Sequence, residues 1–326
     1  MTATPAPNLL SSMVNQVLSI KPLWNFAKGR ARHMMVTRAE TIGVPWRERV
    51  QALQRRGGPT SSGGTATLSP LWQADLAALQ NPELVYPGYY TTSFHAYDEG
   101  NLGWQPAMEV EVASQAVHAK IWPEAGAAGD ECLRQSYHDV LIAQLPQAPE
   151  TVVDIGCGVG LSTEAFQATF PQARLTGVDL SPYFLAVAQY RQQERLENGE
   201  ASSQTAAITW HHAAGEATGL PAATYDLVSA CLVFHELPQS AARAIMQEAR
   251  RLLRPGGHLA IMDMNPRSEV MQTLPPVVLT LLKSTEPYLD EYFTLDIEAA
   301  FLAAGFEQPT IALNSPRHRT LIGKAI

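Results

Sequence analysis

The sequence predicts an α/β protein: a mostly parallel sheet flanked by helices on both faces, preceded by an N-terminal helical extension. Composition leaves room for this fold. Of 326 residues, 46% are apolar or aromatic, ample for a large core, and 17% are charged, below the globular norm of about 25%. From Thr151 onward, short β-branched and apolar runs alternate with helical stretches, as strand–helix–strand units do. The first of those runs ends in a glycine-rich turn, Asp154-Ile-Gly-Cys-Gly-Val-Gly160, at the strand end where open parallel sheets bind ligands.

The elements follow in order. Leu10, Met13, Val14 and Val17 recur at helical spacing over residues 8–20, with Asn8 as N-cap, and Pro22 interrupts that helix. A second basic stretch runs from Lys28 to Arg38. Residues 1–56 thus form a basic amphipathic helical arm, with nine Lys/Arg against Glu40 and Glu48, whereas the remainder has 14 against 29 acids. Such an arm, with Trp24 and Phe26, suits an anionic membrane surface through residues 8–38, or the acidic body of the protein, or a second subunit. Residues 57–67, GGPTSSGGTAT, read as a flexible linker. Residues 68–130 are a helical and aromatic pre-core segment, with a helix at Met108–Lys120. The main domain spans 131–326 and opens with a helix at Glu131–Ala143. Strands are expected at Thr151–Ile155, Arg174–Val178, Ala207–His211, Asp226–Ala230 and His258–Asp263, and helices at Leu161–Thr169, Pro182–Glu197 and Gln239–Leu253. Residues 264–295, Pro-rich and apolar, read as a lid insertion. A helix at Asp296–Ala304 and a hairpin of Gln308–Leu313 and Arg319–Lys324 finish the sheet.

Several classes are disfavoured. No apolar run approaches the roughly 20 residues that span a bilayer, and no signal peptide opens the chain. Cys132, Cys157 and Cys231 make no disulfide framework, so the expected setting is a reducing cytoplasm, peripheral to a membrane if the arm binds one. A net charge of −8 argues against a bulk nucleic-acid binder.

The glycine loop narrows the ligand. A dinucleotide fingerprint counted from Gly156 would need its third glycine at Leu161, and the Walker lysine is absent. A carboxylate at Asp154 accepts from an ammonium group, whereas it would repel a pyrophosphate. The pattern Asp-x-Gly-x-Gly-x-Gly resembles motif I of class I S-adenosylmethionine-dependent methyltransferases of the type 11 kind. Four further segments resemble that family in order: Gly177-Val-Asp-Leu-Ser181, Gly215-Glu-Ala-Thr-Gly-Leu-Pro221, Tyr225–Glu236 and Leu252-Leu-Arg-Pro-Gly-Gly257. The resemblance covers residues 131–326 and implies a Rossmann-like, seven-stranded sheet with one antiparallel strand. It implies S-adenosylmethionine as cofactor, held by Asp154, Gly156, Cys157, Gly158, Gly160, Asp179, Leu180, Glu216, Ala217 and Cys231. Asp179 would take the ribose hydroxyls. Glu216, one methylene longer than the family's usual Asp, would take the adenine amino group beside the Ala217 backbone N–H. Residues 86–101 and 283–292 resemble segments of a cyanobacterial and plastid methyltransferase group.

The reaction so implied is in-line displacement on a sulfonium methyl, in which the protein mainly positions and desolvates. A phenol-type O or C nucleophile gains from a base. His235, just beyond the fourth strand, is the first candidate, with His95 and Tyr97 behind it; a His235 that merely packs is the alternative. No metal is expected: Gln239 stands where a zinc helix would need histidine, and His211 and His212 face opposite ways on a strand. The tyrosines of residues 83–104 could line an acceptor pocket, close over the cofactor, or simply pack. The preferred acceptor is a small, largely apolar quinone, phenol or secondary metabolite. A protein side chain, or a non-enzymatic cofactor-binding role in assembly, are the alternatives.

Overall fold

The structure, a computed structural model, describes residues 21–56, 68–95, 97–199 and 208–326. Seven strands form one sheet: β1 (Thr151–Ile155), β2 (Arg174–Asp179), β3 (Ile208–His212), β4 (Tyr225–Cys231), β5 (Leu253–Met264), β6 (Thr310–Leu313) and β7 (His318–Lys324). Their order is β3-β2-β1-β4-β5-β7-β6. Strands β1 to β5 pair in parallel, and β7 runs antiparallel between β5 and β6. The single antiparallel strand agrees with the expectation. Because β1 has β2 on one side and β4 on the other, the chain changes direction across the sheet there, opening a crevice at the carboxyl ends of these strands.

The helices before the sheet are α1 (Lys21–Thr41), α2 (Trp46–Arg55), α3 (Leu71–Leu79), α4 (Trp104–His118) and α5 (Gly129–Gln144). Between strands come α6 (Leu161–Thr169), α7 (Pro182–Glu197) and α8 (Gln239–Leu252), and after β5 come α9 (Glu269–Gln272), α10 (Pro276–Thr285), α11 (Leu289–Thr294) and α12 (Ile297–Ala303). Local chemistry sets several starts. The Ser181 hydroxyl accepts from the Phe184 N–H at 3.3 Å ahead of Pro182, which opens α7 without losing a hydrogen bond. The Asp296 carboxylate accepts from the Ala299 N–H at 3.0 Å and caps α12. Pro22 sits in the first turn of α1, where a missing N–H costs nothing; the expected helix over 8–20 lies outside the described residues.

Strands buried on both faces divide their side chains with the two-residue period of a pleat. Val153, Ile155, Val228, Leu259 and Ile261 pack under α8, α11 and α12. Val152, Leu227, Ala260 and Met262 pack under α5 and α6. Helix α8 earns its place by spacing: Ala241, Ala242, Ile245, Met246, Ala249 and Leu252 share its buried face. The expected boundary near Leu253 shifts. β5 begins at Leu253 and pairs with Tyr225, then resumes at Leu227–His258, so the Arg254–Gly257 turn becomes a bulge inside the strand.

Part of the basic arm lies against the body. Val36, Ala39, Val44 and Trp46 are buried with Val112 and Ala116 of α4. Arg32 pairs with Glu109, and Arg49 lies 3.8 Å from Glu111. Among the described residues, no helix is long and apolar enough to cross a membrane.

Candidate functional site

The loop after β1 builds the first half of the site. The Gly156 N–H donates to the Val178 carbonyl at 2.8 Å and the Gly158 N–H to Asp179 Oδ2 at 2.8 Å, which ties the loop to the end of β2. Both glycines sit at positive φ, 70° and 56°. They differ in surroundings: a Cβ on Gly156 would lie 2.6 Å from a Val233 methyl, whereas one on Gly158 would meet nothing nearer than 3.9 Å. The loop is therefore packed at its first glycine and open at its second. Cys157 lies beneath it, buried, and burial pushes its thiol well above the usual range, so it is a packing group.

Acids mark the strand ends. Asp154, 1% exposed, accepts from the hydroxyls of Ser162 at 2.6 Å and Thr163 at 2.7 Å through Oδ2, while its Oδ1 is buried without a partner among the described residues. Burial raises its pKa, opposed by those hydroxyls and by Arg134. Asp179 takes the Ser181 N–H at 2.7 Å on Oδ1, where the Tyr90 hydroxyl also stands at 3.5 Å. Burial lifts it to about 6 against those hydrogen bonds. Leu180, buried beside it, offers its carbonyl to His212 Nε2 at 3.0 Å. Glu216 Oε1 accepts from the Tyr89 hydroxyl at 2.8 Å, and its Oε2 is buried without a partner among the described residues. The tyrosine loop of the pre-core segment thus stands over Asp179 and Glu216. The Ala217 N–H, expected to face the ligand, instead donates to the Ala214 carbonyl at 3.1 Å, because residues 214–217 close a tight turn.

The second half gathers at the ends of β4 and β5. His235 Nδ1 lies 2.8 Å from Asp263 Oδ1, and its backbone N–H donates to Asp263 Oδ2 at 3.1 Å. Burial alone would lower the His235 pKa; Asp263 outweighs it and Glu236 adds, leaving it at about 10. His95 comes from the pre-core loop, in a left-handed conformation at φ 47°, with its N–H donating to the Thr285 carbonyl at the end of α10. Its Nε2 lies 3.1 Å from Glu286 Oε1 and 3.4 Å from Glu236 Oε1. Those carboxylates outweigh burial and hold its pKa at about 9. Glu236, with its Oε1 4.0 Å from His235 Nε2, is raised by burial against the pull of both imidazoles to about 7.

This geometry bears on two expectations. Asp263, 2.8 Å from His235 Nδ1, raises the His235 pKa and so weakens it as a proton acceptor. Tyr97 stands apart from the cluster, its hydroxyl donating to Glu109 Oε2 at 2.7 Å beside Arg32, because its loop turns it toward α4. Asp263, Glu236 and Glu286 were not among the expected site residues. Asp263 carries a legible signal, an acid at the end of a strand like Asp154 and Asp179; Glu286 carries none, since only the closure of residues 264–295 brings it in. His211 and His212 point apart, to the Thr218 and Leu180 carbonyls, and among the described residues no group of three or more His, Cys, Asp or Glu is placed to hold a metal ion.

Residues 153–261 match the family model described as a methyltransferase domain. Trans-aconitate 2-methyltransferase of Azoarcus sp. (strain BH72) is 39% identical over 37% of this chain and 42% of its own length. Demethylmenaquinone methyltransferase of Tropheryma whipplei (strain Twist) is 31% identical over 46% of this chain and 60% of its own. The chain therefore spans about half the length of the curated relatives it matches. Among solved structures, phosphoethanolamine N-methyltransferase 2 of Haemonchus contortus, in complex with S-adenosyl-L-methionine, aligns at a TM-score of 0.45 and 15% identity, over 59% of this chain and 52% of that one.

The residues fit S-adenosylmethionine. Its ammonium, ribose hydroxyls and adenine amine are all hydrogen-bond donors. Acceptors for them are Asp154 Oδ1 and Glu216 Oε2, each without a partner among the described residues, and Asp179, while Gly158 leaves open space in the loop. Sheet order and glycine loop agree with the methyltransferase domain that residues 153–261 match.

Proposed function

We propose that the chain transfers a methyl group to an O or C nucleophile of a small, largely apolar acceptor, bound where His95, His235 and Glu236 converge. The observation that carries this reading is the convergence of the His95 and His235 rings on Glu236, 3.4 and 4.0 Å away, beyond the carboxyl ends of β4 and β5. Bound in the pocket, S-adenosylmethionine supplies an electrophilic sulfonium methyl. His235, clamped by Asp263, presents its Nε2–H to the acceptor and stabilises a phenolate, enolate or carboxylate form. Glu236, within 3.4 Å of His95 Nε2 and 4.0 Å of His235 Nε2, takes the acceptor's proton, because burial raises its proton affinity while Asp263 already occupies His235. Val233, Met271, Leu282 and Phe293, partly buried nearby, supply apolar surface. Of the relatives' names, demethylmenaquinone suits an apolar acceptor, whereas trans-aconitate is a charged one.

The test is transfer of tritiated methyl from S-adenosylmethionine into a cell extract, then into trans-aconitate and a demethylated quinol. Label is expected in the organic-extractable or small-molecule fraction and is lost in Glu236→Gln. Label confined to protein would overturn the small-acceptor reading in favour of a side-chain substrate. Tight cofactor binding without transfer to either fraction would favour the non-enzymatic role.

A further inference from the structure

We propose that Tyr97 is a positioning residue for the transfer step: its hydroxyl, held by Glu109 and through Glu109 by Arg32 of the basic arm, fixes the turn that delivers His95 to the acceptor site. This rests on the acceptor site assigned above.

His95 stands at the tip of a closed turn. The Phe94 N–H donates to the Tyr97 carbonyl at 3.1 Å, and the Tyr97 N–H to the Phe94 carbonyl at 2.7 Å. The Gly100 N–H at 3.2 Å and the Ser93 hydroxyl at 2.8 Å donate to the same Tyr97 carbonyl, so the loop folds about Tyr97. The buried Phe94 ring packs at 81° to the imidazole, with 4.4 Å between centroids. At φ 47° His95 occupies a backbone region that a residue with a Cβ leaves unless its surroundings hold it there.

Two mounts hold that turn. On the side of the site, the His95 N–H donates to the Thr285 carbonyl at 3.1 Å, and His95 Nε2 lies 3.1 Å from Glu286 Oε1 and 3.4 Å from Glu236 Oε1. On the other side, the Tyr97 hydroxyl donates to Glu109 Oε2 on α4 at 2.7 Å. Burial and the facing Glu109 raise the phenol's pKa, so it stays a donor. Glu109 is 2% exposed, and a carboxylate so buried needs partners. Arg32 of α1 pairs with its Oε1, where Gln105 Nε2 also donates at 3.4 Å. Tyr97 is two residues from His95, so a phenol that leaves Glu109 frees the turn that sets the histidine's place. The contacts run from Arg32 through Glu109 and Tyr97 to His95, and none of these residues is one assigned to the cofactor. Loss of the Tyr97 hydroxyl should therefore separate transfer from cofactor binding.

The test uses the full chain and Tyr97→Phe, which removes one hydroxyl. Burial and the nearby His235 lower the His95 pKa, and Glu286 and Glu236 raise it past them, to about 9. Imidazole NMR follows that titration, with the His95 resonance assigned from His95→Gln. In Tyr97→Phe it should move down by about one pH unit or more, as the ring leaves the two carboxylates. Transfer of tritiated methyl into the organic fraction of a cell extract should fall about 10- to 100-fold, the range for a displaced reacting group, while calorimetry finds S-adenosylhomocysteine affinity unchanged. In a His95→Gln background, Tyr97→Phe should cost no further transfer, since both changes act through one imidazole. An unmoved His95 titration in Tyr97→Phe would overturn the proposal, as would a loss of transfer that adds to that of His95→Gln. If Tyr97→Phe does not fold, Arg32→Gln at the exposed end of the chain of contacts decides by the same titration: a downward move supports the proposal and none overturns it. Undiminished transfer in His95→Gln would instead overturn the acceptor site, and the titration would still judge the hold of Tyr97 on His95.

Discussion

Cofactor affinity should depend on pH through Asp179. Its carboxylate is buried at the end of β2, between the Gly158 and Ser181 N–H groups, with the Tyr90 hydroxyl above it and Asp154 of β1 adding repulsion; burial dominates and its pKa is about 6, against an ordinary 3.8. Two N–H donors and two ribose hydroxyls would use the roughly four lone-pair sites of an ionised carboxylate. A proton on Asp179 removes the charge and blocks one of those sites, so the ligand binds the ionised form. At pH 8 nearly all of the free protein is in that form. At pH 5 about one-tenth is, which lowers the apparent affinity about tenfold, or by about 1.4 kcal/mol. Titration calorimetry with S-adenosylhomocysteine at pH 5, 6, 7 and 8 measures this directly. Asp179→Asn should bind more weakly at pH 8 and show no loss between pH 8 and 5. A flat wild-type profile would refute the reasoning, as would a tenfold loss that persists in Asp179→Asn.

Three further outcomes are expected. Gly156→Ala should lower the melting temperature, because a Cβ at φ 70° would sit 2.6 Å from Val233, whereas Gly158→Ala, facing open space, should lose cofactor affinity with a smaller change in stability; thermal denaturation and calorimetry separate them. His235 and His95 have folded pKa values of about 10 and 9 against an ordinary 6.5, so their contribution to stability is full below pH 6.5 and is lost as pH rises through 9 and 10. Asp263→Asn should reduce that decline in denaturant melts and return the His235 resonance toward an ordinary imidazole titration. Tyr89→Phe leaves both Glu216 oxygens without this donor and should cost about 1–3 kcal/mol of stability, recovered in part by saturating cofactor.

The parts legible in the sequence were those encoded by neighbours along the chain. Strand–helix alternation appears because burial on both faces makes each strand a short apolar run, as at Val152–Val153 and Leu259–Met262. Asp154, Gly156, Gly158 and Asp179 were readable because a strand end and its following turn are contiguous, and the turn requires residues without a Cβ at fixed spacing. Even there, the Ala217 N–H showed how a four-residue turn can redirect a group that spacing alone would offer to the ligand.

The sequence by itself determined the sheet, the glycine cradle and the acids beside it, since each depends on residues within a few positions of one another. Tertiary structure alone decided the charge state and company of the second half of the site. His95 and Glu286 lie far from His235 along the chain and meet it only when the pre-core loop closes on α10, through the His95–Thr285 hydrogen bond. The same closure turns Tyr97 away toward Glu109, and the packing of α5 brings Arg134 to the end of β4. Proton affinities there follow from which charges share a low-dielectric space, a property of distance in three dimensions that no local pattern carries.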